Sequence, residues 1–213
     1  MKNQHRYPIF LDMRGVACLV VGGGPVAARK VESLLEAGAT VRVVSPEVSP
    51  ALRKLASCNV IEWVERRYAK SWMKGMRLVI AATSDEAVNH QVYADAELRG
   101  IMANVVDDLK YCRFVAPARF SSESLEIAVT TGGAAPIVAK LVRDEIAATL
   151  GEKYAAVVKA LGDRRGRIKR LPRDSKEHFW KQTGTLLRTE SNGDNIVIDK
   201  IEAALVMAEG GAQ

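Results

Sequence analysis

The sequence predicts an α/β fold, with a parallel sheet in the N-terminal half, then a small α+β segment, then a helical C-terminal part. Over the first half of the chain, short continuous apolar runs alternate with amphipathic stretches, the pattern of parallel strands covered by helices on both faces. From residue 114 two strand patterns follow each other with no helix between them, and from Gly151 onward the pattern is helical.

The first predicted strand and helix flank a run of glycines. The apolar run from Gly15 ends in three consecutive glycines, residues 22–24, and Pro25 suits the first turn of a helix. Gly38 supplies the left-handed end of that helix. Its apolar side chains recur on one face: Ala27, Val31, Leu34 and Leu35.

The alternation continues through four more predicted strands, at 40–44, 60–64, 77–83 and 101–106. A helix separates the last two, and we expect Asp85 to cap its start and Gly100 to end it. We therefore predict a doubly wound parallel sheet with right-handed connections.

The second half follows a different pattern. Strands are predicted at 114–120 and 125–130, and a helix from Pro136 to about residue 150. Two strands and one helix bury little apolar surface alone, so we expect this segment to pack against a second copy of itself. The predicted division is a nucleotide-binding domain at 1–113, a dimerisation region at 114–150 and a helical domain at 151–213.

Composition narrows the class of protein. The 213 residues are 48% hydrophobic and 26% charged, which is ordinary globular usage. Cys18, Cys58 and Cys112 show no paired spacing, which argues against a disulfide framework and a structural zinc site. No apolar run is long enough for a signal sequence or a membrane span, so we expect a soluble, cytoplasmic protein.

The chain is basic, with 31 Lys and Arg against 25 Asp and Glu and a net charge of +6. Such an excess attracts nucleic acid, an anionic membrane or a polyanionic small molecule, and the sign of the charge does not choose among them.

The glycine run carries the first functional signal. Gly22, Gly24 and Ala27 match the pattern G-x-G-x-x-A between a buried strand and an amphipathic helix. In this pattern the first glycine makes a tight turn, the second lets the backbone approach a pyrophosphate, and the alanine allows close packing of helix on strand. The helix N-terminus then offers N–H groups to the phosphates. These residues predict a Rossmann-type dinucleotide-binding domain.

The end of the second strand bears on the choice of dinucleotide. An acidic residue there suits the ribose 2′-hydroxyl of NAD, and an arginine suits NADP. The strand ends in Val44-Ser45-Pro46-Glu47, which favours NAD through Glu47. An ordinary exposed loop carboxylate is the alternative interpretation of Glu47.

Ligands of open parallel sheets lie outside the carboxyl ends of the strands. Candidate residues there are Thr83, Ser84, Asp85, Asn104, Asp107 and Asp108. Asp107 is expected to face the crevice and to remove a proton while a hydride leaves toward nicotinamide; the alternative is that it only begins a turn. His5, His90 and His178 do not cluster in the sequence, so we expect structural or surface roles for them and predict no metal site.

The whole chain resembles a known family, the precorrin-2 dehydrogenase and sirohydrochlorin ferrochelatase module, which also forms the N-terminal part of siroheme synthase. The resemblance is carried, in order, by residues 7–11 (YPIFL), 20–30 (VVGGGPVAARK), 34–39 (LLEAGA), 80–83 (IAAT), 88–89 (VN), 104–107 (NVVD), 128–136 (AVTTGGAAP) and 179–180 (FW). It ends where siroheme synthase continues into a methyltransferase domain, so we expect no methyltransferase activity here.

The resemblance implies NAD-dependent oxidation of precorrin-2 to sirohydrochlorin and, in many members, insertion of ferrous iron. Asp107 matches the essential acid of the family, and the dimerisation region would exchange elements between two subunits. By the same resemblance, Pro25-Val26 and Pro46-Glu47 fall on contacts to NAD. Together with the glycine pattern and the strand end at Thr83, the candidate cofactor-binding residues are Gly22, Gly24, Pro25, Val26, Pro46, Glu47 and Thr83.

The implied substrate offers an explanation for the excess of Lys and Arg over Asp and Glu. A tetrapyrrole with eight carboxylates would be held by charge-assisted hydrogen bonds from Arg and Lys. The candidate substrate-binding residues are Asn104, Arg113, Arg119, Thr131, Lys140 and Arg143. The basic run 164–170 is interpreted mainly as a solvated helix face.

One alternative comes from a different class: a redox-sensing regulator that binds NAD(H) on the N-terminal domain and DNA through the basic tail. Such a protein needs a helix that presents Arg and Lys to a groove. The sequence before residue 173 shows no helix-turn-helix pattern, so we expect no nucleic-acid partner.

Overall fold

The computed structural model describes residues 6–122, 125–189 and 195–210. The chain divides into two compact units, Met1–Ala116 and Pro117–Gln213. The first unit contains the parallel sheet, and the second contains a β-hairpin and the C-terminal helices. The three-part division predicted above stays a prediction.

The sheet of the first unit has five parallel strands. They are β1 (Ala17–Val21), β2 (Thr40–Val44), β3 (Glu62–Val64), β4 (Leu78–Ala81) and β5 (Met102–Val105). Their spatial order is β3-β2-β1-β4-β5, so the direction of winding reverses between β1 and β4. The carboxyl end of β1 therefore lies at a topological switch point, where open α/β sheets bind ligands.

Three α-helices connect these strands: α1 (Pro25–Glu36), α2 (Pro50–Ser57) and α3 (Glu86–Glu97). Two short 3₁₀ helices, Lys70–Met73 and Leu109–Tyr111, complete the unit. No helix at 50–57 is predicted from the apolar pattern, because α2 has only eight residues and fully buries only Leu52. The residues at its start nevertheless favour a helix. Pro50 occupies the first turn, and the Ser49 side chain accepts a hydrogen bond from the Leu52 N–H.

The core lies on both faces of the sheet. Cys18 and Val20 of β1 pack with Val31 of α1 on one face, and Leu19 and Val21 pack on the other face with the buried side of α3. Burial on both faces explains why the strands appear in the sequence as continuous apolar runs. The prediction of a doubly wound sheet agrees with this arrangement.

Several predicted strands are longer than the observed ones, among them β4 and β5, which are predicted at 77–83 and 101–106. β3 is shorter than 60–64, since its pairing with β2 begins only at Glu62, opposite Arg42. The strand predicted at 114–120 is wrong for residues 114–117, and β6 runs Ala118–Ser122. Phe114 instead packs against the core of the first unit and its carbonyl accepts a hydrogen bond from the Asn104 side chain, so the ladder begins only after Pro117.

In the second unit, β6 pairs antiparallel with β7 (Leu125–Val129). The helix predicted from Pro136 appears as α4 (Pro136–Ile146), extended by a π-helical turn at Ala147–Gly151. Four helices follow: α5 (Glu152–Asp163), α6 (Arg165–Arg170), α7 (Arg173–Thr189) and α8 (Asn195–Gly210). Their core contains Phe179, Ile201 and Leu205, all fully buried.

The basic run at 164–170 is partly engaged inside this unit. Arg164 and Arg167 form ion pairs with Glu202 of α8, and Arg167 also binds Glu209 at 2.8 Å. The remaining Arg and Lys residues of α6 are exposed, as the interpretation of a solvated helix face predicts. These ion pairs join α6 to α8.

Candidate functional site

The glycine turn after β1 has a conformation that requires its first glycine. Gly22 has φ +122°, a region that L side chains rarely adopt. A Cβ at this position would also collide with the carbonyl oxygen of Ala82, at the end of β4. The turn can therefore pack closely between β1 and β4 only with glycine at position 22.

The second glycine of the run contacts the loop that follows β2. A Cβ on Gly23 would collide with the backbone carbonyl oxygen of Glu47 and approach the Ser45 hydroxyl to 2.8 Å. The Gly23 carbonyl accepts a hydrogen bond from the Ser49 N–H at 2.8 Å. The glycine turn and the loop at 45–49 therefore form one packed structure.

The third glycine faces open space. No heavy atom lies within 4 Å of a Cβ built on Gly24. Gly24 is the N-cap of α1, and no side chain caps the helix there. The start of α1 thus has no side-chain cap and adjoins an open space at Gly24, an arrangement suited to binding phosphate groups.

A cavity of about 700 Å³ opens at this point of the sheet. It is bounded by the glycine turn, the loop after β2, and the loop between β4 and α3. Six of the seven predicted cofactor residues line it: Gly22, Gly24, Pro25, Pro46, Glu47 and Thr83. Val26, the second residue of α1, does not line the cavity.

The cavity also includes residues that the sequence patterns do not reveal. Arg67 and Tyr68 come from the irregular segment after β3, and Gln91 comes from α3. The Tyr68 hydroxyl donates a hydrogen bond to Asp95 at 2.9 Å, and burial, followed by this bond, raises its pKa. Tyr68 is therefore a neutral donor that is held in place by α3.

The loop after β4 is organised by one buried amide. The Asn89 side chain donates to the Thr83 carbonyl at 3.0 Å and accepts from the Thr83 N–H at 3.2 Å. The Thr83 hydroxyl lies 2.8 Å from the Asn89 amide oxygen and 2.9 Å from the Asp85 carbonyl oxygen. The Asp85 carboxylate caps α3 by accepting from the Val88 N–H, as predicted.

Asp107 lies in the turn that follows β5. It is exposed and has φ +63°, a left-handed conformation that Asp and Asn tolerate better than most residues. It does not line the cavity. The structure thus places its carboxylate at the carboxyl edge of the sheet, accessible to a ligand from outside.

A thiol and an amide hold the turn around Asp107 from within. The Cys112 thiol donates toward the carbonyl oxygens of Val105 and Asp108, at 3.1 and 3.2 Å. The buried Asn104 amide nitrogen donates to Cys112 Sγ at 3.3 Å and to the Phe114 carbonyl at 2.9 Å. Burial raises the pKa of Cys112, so this thiol is a hydrogen-bond donor at neutral pH.

The predicted substrate-binding residues are distributed over both units. In the first unit, Arg113 forms a bidentate ion pair with Glu97 and thereby lowers the pKa of Glu97. In the second unit, Arg143 donates to the Arg119 carbonyl at 3.3 Å, which brings these two residues together. Lys140 is exposed on α4, and the Thr131 hydroxyl accepts from the Ala135 N–H.

These features define the class of protein to which the first unit belongs. A glycine turn at the switch point of a parallel sheet, an uncapped helix N-terminus and an adjoining cavity are the parts of a dinucleotide-binding domain. The residues fit such a cofactor, because the space beside Gly24 is the one that the pyrophosphate would fill.

Comparison with known proteins identifies the family. Residues 9–118 match the family described as "Putative NAD(P)-binding", and the chain belongs to this family. Residues 123–149 match the family described as "Sirohaem biosynthesis protein central". The nicotinamide cofactor expected from the glycine turn agrees with the first match.

The most similar relatives include siroheme synthases. One from Chromobacterium violaceum is 40% identical over 210 residues, which are 97% of this chain and 44% of the relative. Another, from Aeromonas salmonicida, is 36% identical over 97% of this chain and 45% of the relative. The chain therefore spans less than half the length of these relatives. The resemblance stated from the sequence motifs is confirmed.

One solved structure resembles nearly the entire chain. It is described as SirC, precorrin-2 dehydrogenase, and superposes with a TM-score of 0.76 at 23% identity, over 95% of this chain and all of that one. This likeness confirms the predicted fold class, including the helical C-terminal part. In the described ranges, no helix combines the length and apolar character needed to cross a bilayer.

Proposed function

We propose that this chain binds NAD and oxidises precorrin-2 to sirohydrochlorin. The observation that carries the proposal is the cavity at the switch point, where the glycine turn, the uncapped start of α1 and the loop at 45–49 meet. The sequence relationship to siroheme synthases supports the choice of substrate. A tetrapyrrole of this kind is a polyanion, which suits a chain with a net charge of +6.

We propose NAD rather than NADP as the cofactor. Glu47 lies in the cavity wall beside the end of β2, where a carboxylate accepts a hydrogen bond from a ribose 2′-hydroxyl and repels a 2′-phosphate. Arg67 lies in the same wall and would favour the phosphate. Titration with NAD and with NADP compares the two affinities, and tighter binding of NADP would overturn the choice of NAD.

The reaction removes a hydride and a proton from the substrate. NAD, when bound, supplies the hydride acceptor. Asp107 is the proposed proton acceptor, because its carboxylate is exposed at the edge of the sheet where the strands present their carboxyl ends. Asn104 and Cys112 are positioning residues, since their hydrogen bonds determine the conformation of the turn that carries Asp107.

We propose that the substrate carboxylates bind the cationic and polar residues assigned from the sequence: Asn104, Arg113, Arg119, Thr131, Lys140 and Arg143. The geometry supports different roles among them. Lys140 is exposed and Arg119 lies next to Arg143, so these residues can together contact an anion. Arg143 also forms an ion pair with Asp144 at 2.6 Å, which a substrate carboxylate would have to replace. The Asn104 amide nitrogen is engaged by Phe114, so Asn104 acts by shaping the site.

We further propose that the protein is a homodimer. The N-terminal part of α4 exposes a row of large apolar side chains: Ile137, Val138, Leu141 and Val142. Ile137 is 65% exposed and Leu141 61%, although both belong to a helix that also packs on β6 and β7. Contiguous apolar surface of this kind marks an interface, and a second copy of the same segment would cover it.

Ferrous iron is a proposed second substrate, to be inserted into sirohydrochlorin in place of two pyrrole protons. A cytoplasmic location is also proposed, supported by three free cysteines at positions 18, 58 and 112. The alternative of a DNA-binding regulator receives less support, because Arg164 and Arg167 of the basic run are engaged by Glu202 within the helical unit.

The decisive experiment follows NADH formation with precorrin-2 and NAD for the wild type and for Asp107→Asn. Loss of a positioned general base lowers the rate about 10²- to 10⁴-fold. NAD affinity, measured by calorimetry, is expected to be unchanged in the variant. Asp174→Asn, which alters a carboxylate on α7, is the control. An Asp107→Asn protein that oxidises precorrin-2 at the wild-type rate would remove Asp107 from the mechanism.

A further inference from the structure

One imidazole and two carboxylates converge at the carboxyl edge of the sheet, on the side of α3. His90 Nε2 lies 3.1 Å from Asp108 Oδ2 and 3.6 Å from Glu86 Oε1. The three ligand atoms all lie within 4.8 Å of one another. Glu86 and His90 are four residues apart on α3 and so share one face of the helix, whereas Asp108 comes from the turn after β5.

Two of these three side chains are held in place by other parts of the protein. The His90 ring lies against the Tyr111 ring, with 4.0 Å between the centroids, and Tyr111 packs edge-on against Tyr93. Asp108 Oδ1 accepts a hydrogen bond from the Lys110 N–H, which directs Oδ2 toward the imidazole. Glu86 is 83% exposed and can move to meet a bound ion.

A hydrogen bond explains only part of this arrangement. A single ring nitrogen carries at most one proton, so His90 Nε2 can donate to one carboxylate and not to both. The second carboxylate then adds negative charge beside the first without a donor from this ring. A divalent cation between the three groups would neutralise both carboxylates and use the nitrogen lone pair at the same time.

The distances also fit metal coordination. Bonds of about 2.0 to 2.2 Å from a metal to N and O ligands place neighbouring ligand atoms about 2.9 to 3.6 Å apart in octahedral or tetrahedral sites. The observed separations from His90 Nε2, 3.1 and 3.6 Å, lie within that interval. Only the exposed Glu86 side chain must shift to complete the set.

We propose that Glu86, His90 and Asp108 bind a first-row divalent metal ion such as Fe²⁺, Co²⁺ or Zn²⁺. An imidazole with carboxylates suits these ions, and three protein ligands leave coordination positions open for water or a second molecule. An open site is adapted to holding an ion that is passed on. Asp108 follows Asp107 directly, so the ion would lie close to the proposed proton acceptor.

Metal binding at this site does not depend on the proposed reaction. The use of the site to hold ferrous iron before insertion, by contrast, rests on the proposed function. The sequence predicts no metal site, because its histidines do not cluster, and His90 and Asp108 are 18 residues apart in the chain. The fold brings them together through the adjacent ends of β4 and β5.

The test is a titration of the full chain with Co²⁺, followed by visible absorption and calorimetry. The wild type is expected to bind one ion through this cluster. His90→Gln and Asp108→Asn keep side-chain size, and each should weaken Co²⁺ binding at least about tenfold, the lower limit seen even for residues that only support a ligand. His178→Ala, which removes an exposed histidine of α7, should bind as the wild type does.

Two results would overturn the proposal: no Co²⁺ binding by the wild type at millimolar concentration, or wild-type affinity in both His90→Gln and Asp108→Asn. NAD titration of the same samples reports separately on the dinucleotide cavity. Retained Co²⁺ binding with no NAD binding would refute the proposed dehydrogenase function and leave the metal site standing.

Discussion

Gly22 and Gly24 should respond very differently to the same added methyl group. Gly24 has φ −79° and open space around the position of its Cβ, so Gly24→Ala is compatible with the fold. Two opposing effects are expected: alanine is a poorer N-cap than glycine, but it lowers the conformational entropy of the unfolded chain. The net change in stability should therefore stay within about 1 kcal/mol. The methyl group would nevertheless occupy the space assigned to the pyrophosphate.

The expected loss is therefore one of binding. Hydrogen bonds to charged groups contribute about 1.5 to 3 kcal/mol each. Displacing the pyrophosphate from one first-turn N–H of α1 should weaken NAD binding by roughly 10- to 150-fold, at about 1.4 kcal/mol for each factor of ten. Isothermal titration calorimetry with NAD measures the affinity, and thermal unfolding measures the stability.

Gly22→Ala is the matched comparison. Its left-handed φ and the collision with the Ala82 carbonyl should destabilise the first unit by about 2 to 5 kcal/mol, whether or not NAD is present. If Gly24→Ala binds NAD as tightly as the wild type, the glycine turn is not the pyrophosphate site and the assignment of the cavity is wrong.

Three further outcomes are expected. Asn89→Ala should lower the melting temperature, because loss of a buried amide leaves backbone groups unpaired at a cost of about 1 to 3 kcal/mol. It should also weaken NAD binding. A wild-type melting temperature together with wild-type NAD affinity would contradict the role of Asn89 in organising the loop after β4. Leu141→Glu should shift light scattering from dimer to monomer, and an unchanged mass would argue against the α4 interface. Arg164, and then Arg167, lower the pKa of Glu202, so its stabilising contribution is present above about pH 4.3 and is lost as pH falls through the lowered pKa. Glu202→Gln should flatten that acid dependence in urea unfolding, and a profile identical to that of the wild type would refute it.

The parts of the fold that the sequence predicts are those encoded by neighbouring residues. β1, the glycine turn and α1 follow from one continuous apolar run, three glycines and a 3.6-residue periodicity. Most of the cavity wall follows in turn, because parallel strands present their carboxyl ends at one edge of the sheet. Six of the seven residues predicted to bind the cofactor line this cavity.

The remaining features depend on contacts between distant segments. Arg67 and Tyr68 reach the cavity from an irregular segment that has no periodicity to detect. The strand predicted at 114–120 begins late because the Asn104 side chain, ten residues earlier, holds the Phe114 carbonyl. The cluster around His90 requires the rotation of α3 relative to the end of β5, which a single sequence does not reveal.

The packing of Gly23 against Glu47 has a consequence for engineering cofactor preference. The contact is made by the main-chain carbonyl of Glu47, so exchanging the carboxylate for a neutral or basic group leaves it intact. With Glu47 assigned to the ribose as proposed, substitution at position 47 is expected to change ribose selectivity and to leave the proposed diphosphate site intact. Inserting or deleting a residue between 45 and 49 would instead disrupt the packing of this loop on the glycine turn.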